Sequence, residues 1–169
     1  MAAKATPGLP FLFAISVAAL VADQISKYAV QKFTAPGSEK VVVPGFLNIL
    51  HTSNPGVAFG LFASSANPWK PVLLIGFSVA VIAMLVWLLV TDRAGDSLGR
   101  YGIALILGGA VGNVLDRFSR HSVTDFIDFY LGAYHWYTFN IADSAIVVGA
   151  ALIVLALFRE GKQPTQARA

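Results

Sequence analysis

The chain has 169 residues, 56% hydrophobic and 12% charged, with no cysteine and a formal charge of +3. With a mean hydropathy of +0.68, this is the composition of a membrane protein. The missing cysteine excludes disulfides, thiolate metal sites and a cysteine nucleophile. The Lys and Arg residues are scattered over segment ends, which suits juxtamembrane anchoring and argues against nucleic acid as a partner.

A bilayer core about 30 Å thick needs about 20 helical residues per crossing. Four apolar runs of that order occur, at 9–30, 71–90, 101–117 and 138–158. The length of the first also fits a cleaved signal peptide, but it ends in the polar DQISK (Asp23 to Lys27). The segment 32–70 is punctuated by Pro36, Gly37, Pro44, Gly45, Asn54, Pro55 and Gly56. Within it KVVV and FLNILHT have the β-branched or alternating character of short strands, predicting a small sheet on the membrane face. Residues 91–100, TDRAGDSLGR, form a short polar turn. Residues 119–137 carry Phe126, Phe129, Tyr130, Tyr134, Trp136 and Tyr137, which settle at headgroup level, and are expected to be a second loop. The tail 159–169 is expected to be a disordered end. The predicted fold is one domain, 1–169: an all-α integral membrane protein of four transmembrane helices with a small β-rich cradle and a second loop.

If the helices alternate in direction, one side collects the end of the first, the start of the second, the end of the third and the start of the fourth. That side holds Asp23, Gln24, Lys27, Asn54, Asn113, Asp116, Arg117, Asp125, Asp128, Asn140 and Asp143. An ionisable group near mid-span costs about 2.5 to 3.5 kcal/mol on insertion scales, so such a convergence calls for a function. Asn113 precedes Asp116 and Arg117 by three and four residues, and Asn140 precedes Asp143 by three, so each set shares a helix face. Gly108 and Gly112 form a GxxxG step that lets a neighbouring helix approach.

Structural roles compete for each residue. Asn140 with Asp143 has the spacing of an N-cap with an acid in the first turn. Asp116 beside Arg117 suits an interfacial ion pair. Asp23 and Lys27 suit a pair along one helix, and Asp128 suits a water-facing position between Phe126 and Phe129. These roles leave the convergence on one leaflet unexplained.

Five ordered blocks, DQISK (23–27), NPGVAFG (54–60), GGAVGNVLDR (108–117), VTDFIDF (123–129) and FNIADS (139–144), resemble those of bacterial lipoprotein signal peptidase, or signal peptidase II. The resemblance covers nearly the whole chain. It implies four spanning helices in the bacterial inner membrane, both termini cytoplasmic, and an active site and β-rich cradle at the periplasmic face. It also implies an aspartic endopeptidase without metal or other cofactor, cutting the signal peptide from prolipoproteins just before a diacylglyceryl-modified cysteine. The partners expected are the lipidated precursor and membrane lipids, with the protein a monomer. Asp125 and Asp143 match the catalytic pair, and Asp23, Asn54, Asn113, Asp116, Arg117 and Asn140 match the supporting or substrate-binding residues. The linker RHSVTDF departs from the pattern at Ser122, where Gly is expected nearby, and at Thr124, where Val is expected.

Two adjacent carboxylates cannot both ionise easily and share one proton, which suits them to act as base and acid on a water and a peptide carbonyl. Other chemistries fit less well. Ser26 and Lys27 are neighbours that point apart on a helix, unlike a Ser/Lys pair. His51, His121 and His135 lack HExxH spacing and are expected to be interfacial. A proton-coupled carrier would use the same acids as a relay, but the cluster lies at one face and no repeated half is visible. Six Lys or Arg fall on each side, so the positive-inside rule is silent and orientation rests on the resemblance.

Overall fold

The computed structural model describes residues 6–56 and 69–160. Val57 to Gly60 of the NPGVAFG block and the tail beyond Glu160 lie outside the described residues.

Among the described residues, four helices are long and apolar enough to cross a membrane. Helix α1, Leu9–Phe33, opens with Pro10 in its first turn, where the missing N–H costs nothing. It closes at Thr34, whose backbone N–H and hydroxyl both donate to the Val30 carbonyl. Helix α2, Lys70–Val90, is apolar throughout its middle and leaves Val72, Leu73 and Phe77 exposed, as a lipid-facing helix does. Helix α3, Ser97–Arg120, starts at an Asp96 cap whose carboxylate accepts from the Gly99 N–H at 2.9 Å, and ends at His121 in the left-handed region. Helix α4, Ile141–Glu160, completes the set.

Helix α3 packs against each of the other three. It is the helix in which Gly recurs, and the backbone uses these glycines. A Cβ on Gly102 would run into the Gly149 carbonyl of α4, and one on Gly108 into the Ser16 carbonyl of α1. The GxxxG step thus brings α1 onto α3, where the Ser16 hydroxyl also donates to the Ala104 carbonyl at 2.8 Å. An apolar core of Leu12, Leu85, Leu89, Ile103, Ala104 and Leu107 lies between α1, α2 and α3, at the end away from the polar cluster.

The strands form one antiparallel sheet in the order β1-β2-β3-β4. They are β1 (Glu39–Val43), β2 (Leu47–Asn54), β3 (Val123–Leu131) and β4 (Tyr134–His135). The first two match the strands read in KVVV and FLNILHT. The second loop is corrected: residues 119–137 are mostly strand, and β3 pairs with β2 so that Thr52 faces Asp125 and Asn48 faces Asp128. A run of β-branched and aromatic residues suits a strand once a partner exists. Helix α3 also extends beyond the expected 101–117 at both ends, and α4 begins at Ile141 instead of 138, because Phe139 bridges to Ile127 of the sheet.

Candidate active site

Asp125, on β3, is buried at the junction of sheet and helices. Two side-chain amides serve its carboxylate, Asn54 Nδ2 to Oδ2 at 2.9 Å and Asn140 Nδ2 to Oδ1 at 2.7 Å. Each amide is held with its oxygen turned away. Asn54 Oδ1 accepts the Gly56 N–H at 2.9 Å, closing a turn through Pro55, and Asn140 Oδ1 accepts the Asp143 N–H at 2.9 Å. Asn140 is therefore the N-cap of α4 and at the same time a ligand of Asp125. The capping role and the site role coincide.

Asp143 sits in the first turn of α4, where free backbone donors favour negative charge. Its Oδ1 accepts from Asn113 Nδ2 at 2.8 Å. The two acids are near enough for the charge of Asp143 to act on Asp125. Burial pushes the Asp125 carboxyl up from its ordinary value to about 6; the Asn54 bond pulls down, the Asp143 charge pushes up, and Asn140 and Lys27 pull down more weakly.

Behind the pair lies a buried ionic cluster. Lys27 Nζ contacts Asp23 Oδ2 at 2.8 Å, Asp116 Oδ2 at 3.0 Å and Asn113 Oδ1 at 2.9 Å. Arg120 reaches Asp116 Oδ1 at 3.0 Å, and Gln24 Nε2 donates to Asp23 and Asp116. The pairing of Asp23 with Lys27 is as expected. That of Asp116 with Arg117 is corrected: Asp116 pairs with Lys27 and Arg120. Arg117 instead donates to the Gly56 carbonyl at 2.9 Å and holds the end of the Asn54 turn.

Asp128 is corrected as well. It is 1% exposed, not water-facing. Asn48 Nδ2 donates to it at 3.1 Å and His135 Nδ1 lies 2.8 Å from Oδ2, with the imidazole stacked on Tyr130. His135 thus has a partner in the sheet, and His51 one in Thr34. At the departure Thr124, the hydroxyl accepts from Gln31 at 2.6 Å and the backbone N–H donates to Asp116 at 3.4 Å. In the sequence Gln24 and Lys27 fall on the polar side without a site role, and Arg120, Asn48 and His135 are missed as site residues; for Lys27 the signal is its place in DQISK, four residues after Asp23.

Two solved structures resemble this one, both described as bacterial membrane enzymes. The first, at 2.3 Å resolution, has a TM-score of 0.83 and 28% identity, covering 97% of each chain. The second, at 1.9 Å, has a TM-score of 0.80 and 29% identity over 92% of this chain and 97% of that one. Four helices of membrane-spanning length with a small sheet, arranged as in these two structures, define a multi-pass membrane protein. Residues 15–159 match the family model of signal peptidase (SPase) II. The chain is 42% identical over 155 residues to the lipoprotein signal peptidase of Solibacter usitatus, covering 89% of this chain and 93% of that one. It is 36% identical over 145 residues to that of Maridesulfovibrio salexigens, covering 86% and 93%. The chain belongs to the signal peptidase II family.

Proposed function

We propose that this protein removes the signal peptide from diacylglyceryl-modified prolipoproteins, cutting just before the lipidated cysteine, with Asp125 and Asp143 as its catalytic pair. The observation that carries this reading is Asn140. Its amide nitrogen holds Asp125 at 2.7 Å while its amide oxygen holds the Asp143 N–H at 2.9 Å, tying the two acids together at the mouth of α4. The pair shares one proton. The ionised carboxylate takes a proton from water as the water oxygen bonds to the scissile carbonyl carbon, and the protonated partner gives its proton to the carbonyl oxygen. Collapse of the tetrahedral adduct breaks the C–N bond as the amine nitrogen takes the proton that came from water, while a hydroxyl of the adduct returns a proton to the other carboxylate and restores the singly protonated pair. No cofactor enters the scheme. Asp23, Asn113, Asp116, Arg117 and Asn140 hold the pair and the turn around it, with Asn54 on Asp125.

An aromatic groove of about 310 Å³, lined among others by Phe46, Phe129, Leu131, Trp136 and Phe139, adjoins the site through Phe139, next to Asn140. It suits an acyl chain, whose burial contributes about 0.8 kcal/mol per CH₂. The site stands at the periplasmic face of the inner membrane with both termini cytoplasmic, and the protein acts as a monomer. The test is cleavage of a lipidated precursor by purified protein, with products weighed by mass spectrometry. Cleavage of the peptide bond just before the modified cysteine is expected, far slower on the unlipidated precursor. Equal rates on both, or a cut elsewhere, would contradict the reading.

A further inference from the structure

We infer that Lys27 is a positioning residue for the catalytic pair, setting the orientation of the Asn113 amide so that Asp143 meets a hydrogen-bond donor. The inference rests on the reading of Asp125 and Asp143 as the pair. Three asparagines direct their –NH₂ groups at the two carboxylates, and the rotation of each is set by a donor on its oxygen. For Asn54 and Asn140 the donor is a backbone N–H, of Gly56 and of Asp143. For Asn113 it is the ammonium of Lys27 at 2.9 Å, with a weaker contact from Asn140 Nδ2 at 3.4 Å.

An asparagine amide has nearly the same shape when turned by 180°, so packing alone does not fix it; charge does. With an ammonium on one side, the oxygen must face Lys27 and the nitrogen must face Asp143 Oδ1, at 2.8 Å. The reverse would set –NH₂ against –NH₃⁺ and oxygen against carboxylate. Lys27 has three donors and spends them on Asp23, Asp116 and Asn113. It is 1% exposed on a helix of a membrane bundle, where a charge is costly. Its charge also favours the ionised form of Asp125.

The charged groups around it are Asp23 on α1, Asp116 on α3 with Arg120 paired to it, Asp143 on α4 and Asp125 on β3. Arg117 on α3 lies within electrostatic reach of Asp143, Asp125 and Asp116. A purely structural Lys27 would only join α1 to α3. The two roles differ in what they move: a structural lysine changes how much protein folds, whereas a positioning lysine changes the pH dependence and turnover of the protein that has folded.

The experiment measures kcat and KM on a lipidated precursor peptide as a function of pH, normalised to folded protein in detergent, for Lys27→Met, Lys27→Arg, Asp116→Asn and Lys27→Met/Asp116→Asn. The double variant removes one charge of each sign and serves where Lys27→Met does not fold. Relative to Asp116→Asn, the double variant is expected to lose about 10- to 100-fold in kcat with little change in KM. Its acid limb should lie at higher pH, because loss of a positive charge makes the pair harder to ionise. Lys27→Arg should keep the limb near its wild-type position. An unmoved limb, with activity reduced only in proportion to folded protein, would overturn the inference. Asp143→Asn, run alongside, separates the two readings: if it keeps turnover, the assignment of the pair fails, whereas its inactivity together with an unmoved limb in the double variant refutes the role of Lys27 alone.

Discussion

Asp23, late in α1, caps the start of α4: its Oδ1 accepts the backbone N–H of Ala142 at 2.9 Å, across 119 positions of sequence. Its other oxygen pairs with Lys27 at 2.8 Å. One carboxylate therefore ties together the two helices that bear Lys27 and Asp143. Asp23→Asn keeps an acceptor for Ala142 but breaks the ion pair; Asp23→Ala loses both. Breaking a buried pair costs about 3 to 5 kcal/mol and losing a cap about 1 kcal/mol. Both variants should melt lower in detergent, Asp23→Ala more so, with turnover falling alongside because the first turn of α4 carries Asp143. A wild-type melting temperature in Asp23→Ala would contradict the cap.

The acids should act as a unit. Asp125→Asn and Asp143→Asn are each expected to lower kcat by about 10³-fold or more, and the double variant by little beyond either. Single-turnover rates on a lipidated peptide would show this. Strictly multiplicative losses would mean that the two acids act independently.

Stability should respond to pH through Asp125. Its folded-state pKa of about 6 lies above the ordinary 3.8, so the folded protein holds this proton more tightly than the unfolded chain does. The stabilisation from holding it is complete below the ordinary value and is lost as pH rises through about 6, a difference on the order of 3 kcal/mol for that shift. Asp125→Asn removes the titration. Its melting temperature relative to wild type should therefore rise between about pH 4 and about pH 8, whatever constant offset follows from setting a new amide against Asn54 and Asn140. A pH-independent difference would count against the shifted carboxyl.

Asp128 should matter for stability more than for chemistry. Asp128→Ala leaves Asn48 without its acceptor and releases His135 from β3, a loss of about 1 to 3 kcal/mol. A lower melting temperature is expected, with kcat of the folded fraction changed only severalfold. Complete loss of turnover in a protein of normal stability would place Asp128 in the catalytic machinery.

Much of this molecule is local and so was legible in the chain. Run length alone yields four helices, because a bilayer-spanning segment must satisfy its own backbone. The three-residue step from Asn140 to Asp143 announces a cap, and parity gathers the acids on one side. Three features needed the tertiary structure. The strand character of residues 123–131 depends on β2, about 70 to 80 residues earlier, and no local propensity reports a partner that distant. Asp116 and Arg117 are adjacent in sequence, yet neighbours on a helix point about 100° apart; α1 and the next turn of α3 supply the real partners, Lys27 and Arg120. Asp128 reads as water-facing because an acid in an aromatic loop carries no sign of what covers it. Asn48 from β2 and His135 from β4 cover this one, and a carboxylate so enclosed must be hydrogen-bonded, which only the folded sheet could show.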